Sequence, residues 1–422
     1  MTVDDTPGGS LWPLMLPATQ WDRDSLCTVS ASGVRVRFAD GRELLDGSSG
    51  LWNVNLGYGN EAIASAASAA LRDASYLSVW SYENSYAREA AHALRELAGR
   101  QRFARVIFSC SGGAANDLTM KLVRQYHALV GEPDRRVILG LRDGYHGLTY
   151  GAFALTDAQL GHRLYGVDRR LVGHVTANDS AGLDAALDHL NGRLAAIVVE
   201  PVLGTAAQPL TDDYIRRLLE RRQQSGYLLV VDEVSTGFGR IGNAVFESSR
   251  WPEAPDILIT AKGLTNGTMP ASAVLVSTQI AAAFGSRRSV LAHAETQAGT
   301  PVVCAAMLAT ISELSRLDAV AASARLSNRL DRALDDLTDQ LPIVRGSSGR
   351  GCLRAILLGD LDGRPLDPAQ VPEVVAAIRR AGALVHPGPS CVQLLPALIY
   401  SDDDFDELLG RVRAGLATVN VD

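Results

Sequence analysis

The chain has 422 residues, 47% of them apolar and 21% charged, and a net charge of −7. That length supports two or three domains with substantial cores, and the charge fraction excludes intrinsic disorder as a description of the whole. The acidic balance carries no clustered excess of base, so a nucleic-acid surface is not expected. At the N-terminus, Met1 to Ser10 holds Asp4 and Asp5 and no basic residue ahead of the first apolar stretch. It lacks the charged start of a signal peptide, and nowhere does a run approach the roughly 20 apolar residues of a membrane span. A cytoplasmic protein without membrane segments is expected. Asn60 to Ala74 and Asn84 to Leu97 have helical, alanine-rich character. Ala104 to Ser109 reads as a short buried strand, followed by small residues and a long helix reaching about Val130. Arg136 to Leu141, Leu194 to Val199, Tyr227 to Val231 and Ile257 to Thr260 are further short apolar runs. Most are continuous rather than alternating, the pattern of strands covered on both faces of a largely parallel sheet. Between them, Thr211 can cap a helix running to Ser225, with Asp212 and Asp213 favouring its dipole. Beyond about Leu317, helical segments (Asp318 to Leu341, Pro368 to Ala381, Asp402 to Leu416) separate short strands near Cys352 to Leu358 and Cys391 to Leu395. The expected fold is α/β, a mostly parallel central sheet with helices on both faces. A smaller α+β domain is appended from both termini, residues 1–74 and 326–422 flanking a large domain of 75–325.

Two lysines, Lys121 and Lys262, stand against 38 arginines. The imbalance reads as codon bias, yet any chemistry that needs a lysine amine must use one of these two positions. Lys121 falls mid-helix and reads as solvated or salt-bridged. Lys262 follows the apolar run Ile257-Leu258-Ile259-Thr260 and precedes a loop of small residues. A poorly solvated amine there has a depressed pKa, the condition for Schiff-base chemistry, although a surface lysine at a strand end has the same local sequence. Asp232 ends the apolar run from Leu228 to Val231, at the edge where open α/β sheets hold ligands; a turn-capping acid is the alternative. Ser109-Cys110-Ser111-Gly112-Gly113-Ala114-Ala115-Asn116 leaves backbone N–H groups free at a positive helix end. That suits a phosphate, and close strand–helix packing has the same composition. Neither lysine has the spacing of a P-loop, and Gly57 to Ala62 matches a dinucleotide pattern only loosely, with no βαβ unit around it. The five cysteines (Cys27, Cys110, Cys304, Cys352, Cys391) lack any CxxC pair, which argues for a reducing compartment. The eight histidines show no metal-ligand spacing, so no metal is expected. No GxSxG elbow supports a hydrolase. Together, a phosphate loop, an acid at a strand edge and a candidate Schiff-base lysine are the parts that pyridoxal 5'-phosphate needs.

From Asp46-Gly47-Ser48-Ser49-Gly50-Leu51-Trp52 to the last helix, the sequence resembles the class III (ω-type) aminotransferases of the fold-type I pyridoxal-phosphate enzymes. The strongest stretch is Asp232-Glu233-Val234-Ser235-Thr236-Gly237-Phe238-Gly239-Arg240, followed by Pro255 to Gly263. The resemblance implies that Lys262 is the Schiff-base lysine and Asp232 the partner of the pyridine nitrogen. It places Val234 on one ring face, Tyr145 on the other, and Ser111, Gly112 and Gly113 at the phosphate. Thr296, within His293 to Pro301, would reach the phosphate of a neighbouring subunit, which implies a homodimer with shared active sites. Glu200 matches the acid near the substrate, and Trp52 and Trp80 resemble aromatic walls of the substrate site. The implied activity moves an amino group from an amine or amino-acid donor to a carbonyl acceptor. An aminomutase, epimerase or decarboxylase on the same scaffold would use the same lysine and aspartate, and a non-catalytic cofactor-binding relative would keep them.

Two departures bear on the substrate. Where the family reads Ser-Gly-Ser-Glu-Ala, this chain reads Ser111-Gly112-Gly113-Ala114-Ala115, without one hydroxyl and one carboxylate. Many members place a carboxylate-binding arginine near the C-terminal strands; here no arginine occurs between Arg380 and Arg411, and Gln393 stands in its place. The expected acceptor is therefore a ketone or aldehyde lacking an adjacent carboxylate. Both departures are similar to aminotransferases of daptide-type ribosomal-peptide pathways, which aminate a decarboxylated, ketone-bearing peptide C-terminus.

Overall fold

The computed structural model describes residues 9–157 and 160–419; the Asp4–Asp5 segment lies outside them. Seven strands form the central sheet, in spatial order Arg105–Ser109, Ser272–Val276, Ile257–Thr260, Leu228–Asp232, Leu194–Val199, Val137–Leu141 and Val172–Val175. Ser272–Val276 runs antiparallel to both neighbours, and the remaining pairs are parallel. The sheet is thus mostly parallel with one reversed strand. That strand, and Val172–Val175 at the far edge, escaped sequence reading. Ser272–Val276 follows a turn-rich stretch, Gly263 to Pro270, and is only five residues long.

Every position of Leu194–Val199 and Leu228–Asp232 is buried. Successive side chains of a strand point to opposite faces. Ile197, Val199, Leu229 and Val231 accordingly pack with Tyr214 and Leu218 of the helix Asp212–Ser225. Ala196, Val198, Leu228 and Val230 pack with Leu118 and Leu122 of the helix Gly112–Leu129 on the other side. Two apolar faces explain the continuous hydrophobic runs. Thr211 caps its helix as expected, accepting the Tyr214 N–H at 3.2 Å.

Two four-stranded sheets flank this body. Strand Ala383–Leu384 runs parallel to Glu43–Asp46, so segments from both ends of the chain share one sheet. The other joins Val344–Arg350, Leu353–Leu358, Cys391–Leu394 and His386–Gly388. Backbone bonds from Leu395 N to Gly47 O (2.7 Å) and from Leu398 N to Asn55 O (2.7 Å) tie these ends together. Among the described residues, no helix is long and apolar enough to cross a membrane.

Candidate active site

The six co-directional strands end on one edge, and the loops after them bring together Ser111–Gly113, Tyr145–His146, Glu200, Asp232 and Lys262. Such an edge is where open α/β sheets bind ligands. Ser111 caps the helix Gly112–Leu129 by accepting the Ala114 N–H at 3.1 Å. Gly112 and Gly113 lie in the first turn, whose N–H groups have no partner within the helix and sit at the positive end of its dipole. The cradle is built from bare backbone. A Cβ on Gly112 would stand 3.3 Å from Val234 Cγ1, and one on Gly147 would stand 2.5 Å from Gly113 Cα.

Asp232 is buried, and three donors converge on it. Its Oδ2 accepts from Asn116 Nδ2 at 2.9 Å and lies 2.8 Å from His146 Nδ1, while Oδ1 accepts the Val234 N–H at 3.1 Å. A carboxylate can only accept, which puts the His146 proton on Nδ1; Nε2 is buried without a partner among the described residues. Burial opposes charging of His146, but its hydrogen bond to Asp232 and the charges of Asp232 and Glu200 carry its pKa above the ordinary value. Asn116 also donates to Gly112 O and His146 O, both at 3.1 Å, so one amide ties the glycine loop to Asp232. Neither Asn116 nor His146 was assigned a role from sequence. The available signal was position alone, one beyond the small-residue loop and one beside Tyr145.

Lys262 follows its strand with φ of 45°, a left-handed conformation costing about 1–3 kcal/mol in a non-glycine residue. The next residue must be glycine, because a Cβ on Gly263 would come within 2.8 Å of Asn55 Nδ2 and 2.9 Å of Phe238 Cβ. Lys262 Nζ donates to Ser235 Oγ at 2.6 Å and sits 4.6 Å from the centre of the Trp52 ring. Burial pushes its pKa down to about 8, against the pull of Glu200 and Asp232 and with the help of Arg240. A depressed amine pKa in a partly open crevice is the state that Schiff-base chemistry needs. Glu200 is buried, accepts the N–H groups of Tyr145 (3.0 Å) and Gly204 (3.1 Å), and is pushed up to about 7, chiefly by burial. Lys121, by contrast, is exposed and mid-helix.

The wall beyond Lys262 is aromatic and neutral. Trp52 meets His386 edge-on, with ring centres 5.0 Å apart, and a Cβ on Gly204 would touch Trp52 Cζ3 at 3.0 Å. Burial, then the charge of Lys262, lowers the His386 pKa to about 4, so its imidazole is uncharged at neutral pH. Gln393 is only 1% exposed, and its amide donates to Gly204 O at 2.5 Å. It therefore supports the Glu200–Gly204 loop from behind and does not open on the crevice. Asp46 fixes the Trp52 segment, accepting from Ser48 N, Gly50 N and Tyr58 Oη at 2.8, 2.6 and 2.7 Å. Arg240, fully buried, bonds only neutral acceptors, including Asn55 Oδ1 at 2.6 Å and Pro396 O, and burial lowers its pKa to about 10. Tyr145, 43% exposed, and Val234, which covers Gly112, lie beside the glycine loop and Glu200. Trp80 and Thr296 line a separate groove of about 1610 Å³ together with Tyr76, Tyr82 and His293; Lys262, Asp232 and Glu200 are not part of its lining.

A cradle of free amides, a buried acid oriented by two neighbours and a low-pKa lysine fit the phosphate, ring nitrogen and aldehyde of pyridoxal phosphate. Comparison with known proteins agrees. The Aminotransferase class-III family model matches residues 18–416. An omega-aminotransferase of Caulobacter vibrioides is 30% identical over 434 residues, covering 97% of this chain and 98% of that protein. An acetylornithine aminotransferase of Mycolicibacterium smegmatis is 33% identical over 401 residues, covering 94% and 95%. Among solved structures, an amine transaminase from an uncultivated Pseudomonas species in its PLP-bound form superposes with a TM-score of 0.90 at 29% identity, covering 97% of this chain and 98% of that one. An (S)-enantioselective omega-transaminase from Thermomicrobium roseum gives the same score and identity, covering 97% and 96%.

Proposed function

This chain belongs to the class-III aminotransferases, enzymes dependent on pyridoxal 5'-phosphate, and from that premise we propose that its acceptor is a ketone or aldehyde without an adjacent carboxylate. The observation that carries the reading is the wall beside Lys262, where Trp52 and a neutral His386 meet edge-on and the guanidinium whose charge is felt at Lys262, that of Arg240, is already bound. The arginines of the neighbouring core are engaged elsewhere, Arg240 by Asn55 and Pro396 and Arg354 by Asp331 and Gly351 O. A guanidinium binds a carboxylate through charge-assisted hydrogen bonds worth about 1.5–3 kcal/mol each, so a wall whose guanidinium is already bound disfavours 2-oxo acids at least about tenfold. Within this acceptor class, the reading extends to a decarboxylated peptide with a C-terminal ketone. Its support is the same neutral wall.

When bound, pyridoxal phosphate supplies a carbonyl for the amine and a ring that withdraws electrons. Gly112 and Gly113 would hold the phosphate by their amides. Asp232, oriented by Asn116 and His146, would hold the proton at the ring nitrogen, and Val234 and Tyr145 would cover the ring. Lys262 Nζ, neutral in a substantial fraction near pH 8, moves the proton at the substrate carbon. Glu200 closes the substrate side through its bonds to Tyr145 and Gly204. Thr296 would reach the phosphate of a second copy, and the working unit would then be a homodimer. Its five cysteines are unpaired, in keeping with a reducing, cytoplasmic setting.

The test is an acceptor screen after loading the enzyme with amino groups from an amine donor. Simple ketones or aldehydes should exceed pyruvate and 2-oxoglutarate in kcat/KM by at least about tenfold. Faster turnover with the oxo acids would overturn the acceptor assignment.

A further inference from the structure

The phosphate loop reads Ser111-Gly112-Gly113-Ala114, so Ser111 carries its one hydroxyl. That hydroxyl is already committed to capping Ala114 N at 3.1 Å. Two hydroxyls nearby are committed as well: Ser272 Oγ donates to Ser111 O at 2.8 Å, and Ser235 Oγ accepts from Lys262 at 2.6 Å. A phosphate dianion seated on the first-turn amides would find no side-chain donor in the loop itself.

Thr149 lies directly across from it. A Cβ built on Gly113 would stand 3.3 Å from Thr149 Oγ1 and 3.6 Å from Gly147 Cα. The threonine hydroxyl thus borders the volume that a side chain at position 113 would enter. Thr149 precedes the short helix Tyr150–Leu155, yet its side chain makes no cap bond to that helix. Thr149 is an exposed residue, and its hydroxyl has no hydrogen-bond partner among the described residues.

We propose that Thr149 Oγ1 donates a hydrogen bond to the cofactor phosphate, supplying from the facing loop the hydroxyl that Gly113 lacks. The inference rests on the assignment of pyridoxal phosphate to this site. One residue can serve this way because Gly113 and Gly147 meet as bare backbone, which brings the two loops close enough to share one anion.

The test measures cofactor dissociation from the full-length holoenzyme by equilibrium dialysis, read by cofactor absorbance. Thr149→Ala should raise the dissociation constant of pyridoxal phosphate about tenfold or more, the scale of one hydrogen bond to a charged group. Thr149→Ser, which keeps the hydroxyl, should stay near the parent. Pyridoxal without its phosphate should bind Thr149→Ala and the parent equally. Adding Gly113→Ser to Thr149→Ala should recover affinity, since truncation of the threonine clears the space beside position 113. Unchanged affinity in Thr149→Ala, or equal weakening for pyridoxal and its phosphate, would overturn the proposal while leaving the cofactor assignment intact. Failure of the parent protein to take up pyridoxal phosphate would overturn that assignment and the proposal with it.

Discussion

Lys262 is held in an environment that opposes its own charge. Its pKa falls from 10.5 to about 8, first because burial strips water from the ammonium. The folded protein then binds fewer protons here than the unfolded chain between those two values. Its contribution to stability is therefore complete above about pH 10.5 and lost as pH falls through 8. At pH 7 the protonated amine is a burden on the fold. Lys262→Met, which keeps the length of the side chain without its charge, should raise the stability of the cofactor-free protein at pH 7 by about 1–3 kcal/mol. The gain should vanish toward pH 10 when melting temperatures are compared across pH. A Lys262→Met protein that melts no higher than the parent at pH 7 would show that the amine is freely solvated. Its place just past a strand was legible in the sequence, where only one of two lysines stands so; its left-handed backbone was not, because no local pattern marks that conformation at a lysine.

At the scale of an element, the turn after Leu228–Asp232 is organised by Glu233 and not only by Asp232. Glu233 is fully buried, and its carboxylate accepts from Ser248 N (2.7 Å), Ser248 Oγ (2.6 Å), Glu247 N (2.8 Å) and Thr236 Oγ1 (3.0 Å). Burial still pushes its pKa up to about 7 despite those four donors. Glu233→Ala would leave two backbone N–H groups unpaired and should cost about 2–4 kcal/mol, read as a lowered urea midpoint with unchanged slope. Glu233→Gln retains one oxygen and should lose less. Equal midpoints for Glu233→Ala and the parent would mean that water replaces the carboxylate. The strand itself was readable from four apolar residues in a row. The turn was not, since three of its four donors come from Glu247 and Ser248, beyond the span of any local pattern. The strand Ser272–Val276 went unread beside the turn-rich stretch before it, and its reversal has a related cause: direction within a sheet is decided by neighbouring strands, and its own five residues are compatible with either.

For the whole molecule, the groove that holds Trp80 and Thr296 is the place where a second copy would matter. Trp80 is 69% and Tyr82 76% exposed in the single chain, and Thr296 is fixed there through its carbonyl, which accepts from Tyr76 Oη at 3.0 Å. The Thr296 side chain is left exposed. Under the homodimer reading, Thr296→Ala should weaken cofactor retention, and Lys262→Ala should abolish turnover. Mixing the two variants should then restore activity to a fraction of mixed dimers, because one site in each receives its lysine from one subunit and its threonine from the other. Absence of complementation, with subunit exchange verified by mass, would place the threonine in its own subunit's site or outside any site.

What the sequence determined by itself was the set of reactive parts: a glycine loop ahead of a helix, an acid at a strand end and a lysine past the next strand. Each is local, so a few adjacent residues suffice to mark it, and the resemblance of the whole chain to one family joined them to one cofactor. The tertiary structure decided which groups hold those parts in place. Asn116 and His146 meet Asp232 across 116 and 86 residues of chain, and Gln393 reaches Gly204 across 189. Arg240 is locked among carbonyls from the C-terminal segment, and Thr149 faces Gly113 only because two glycines let their loops touch. Partners of this kind are chosen by burial, where every polar group needs a neighbour, and packing alone determines which distant residue supplies it.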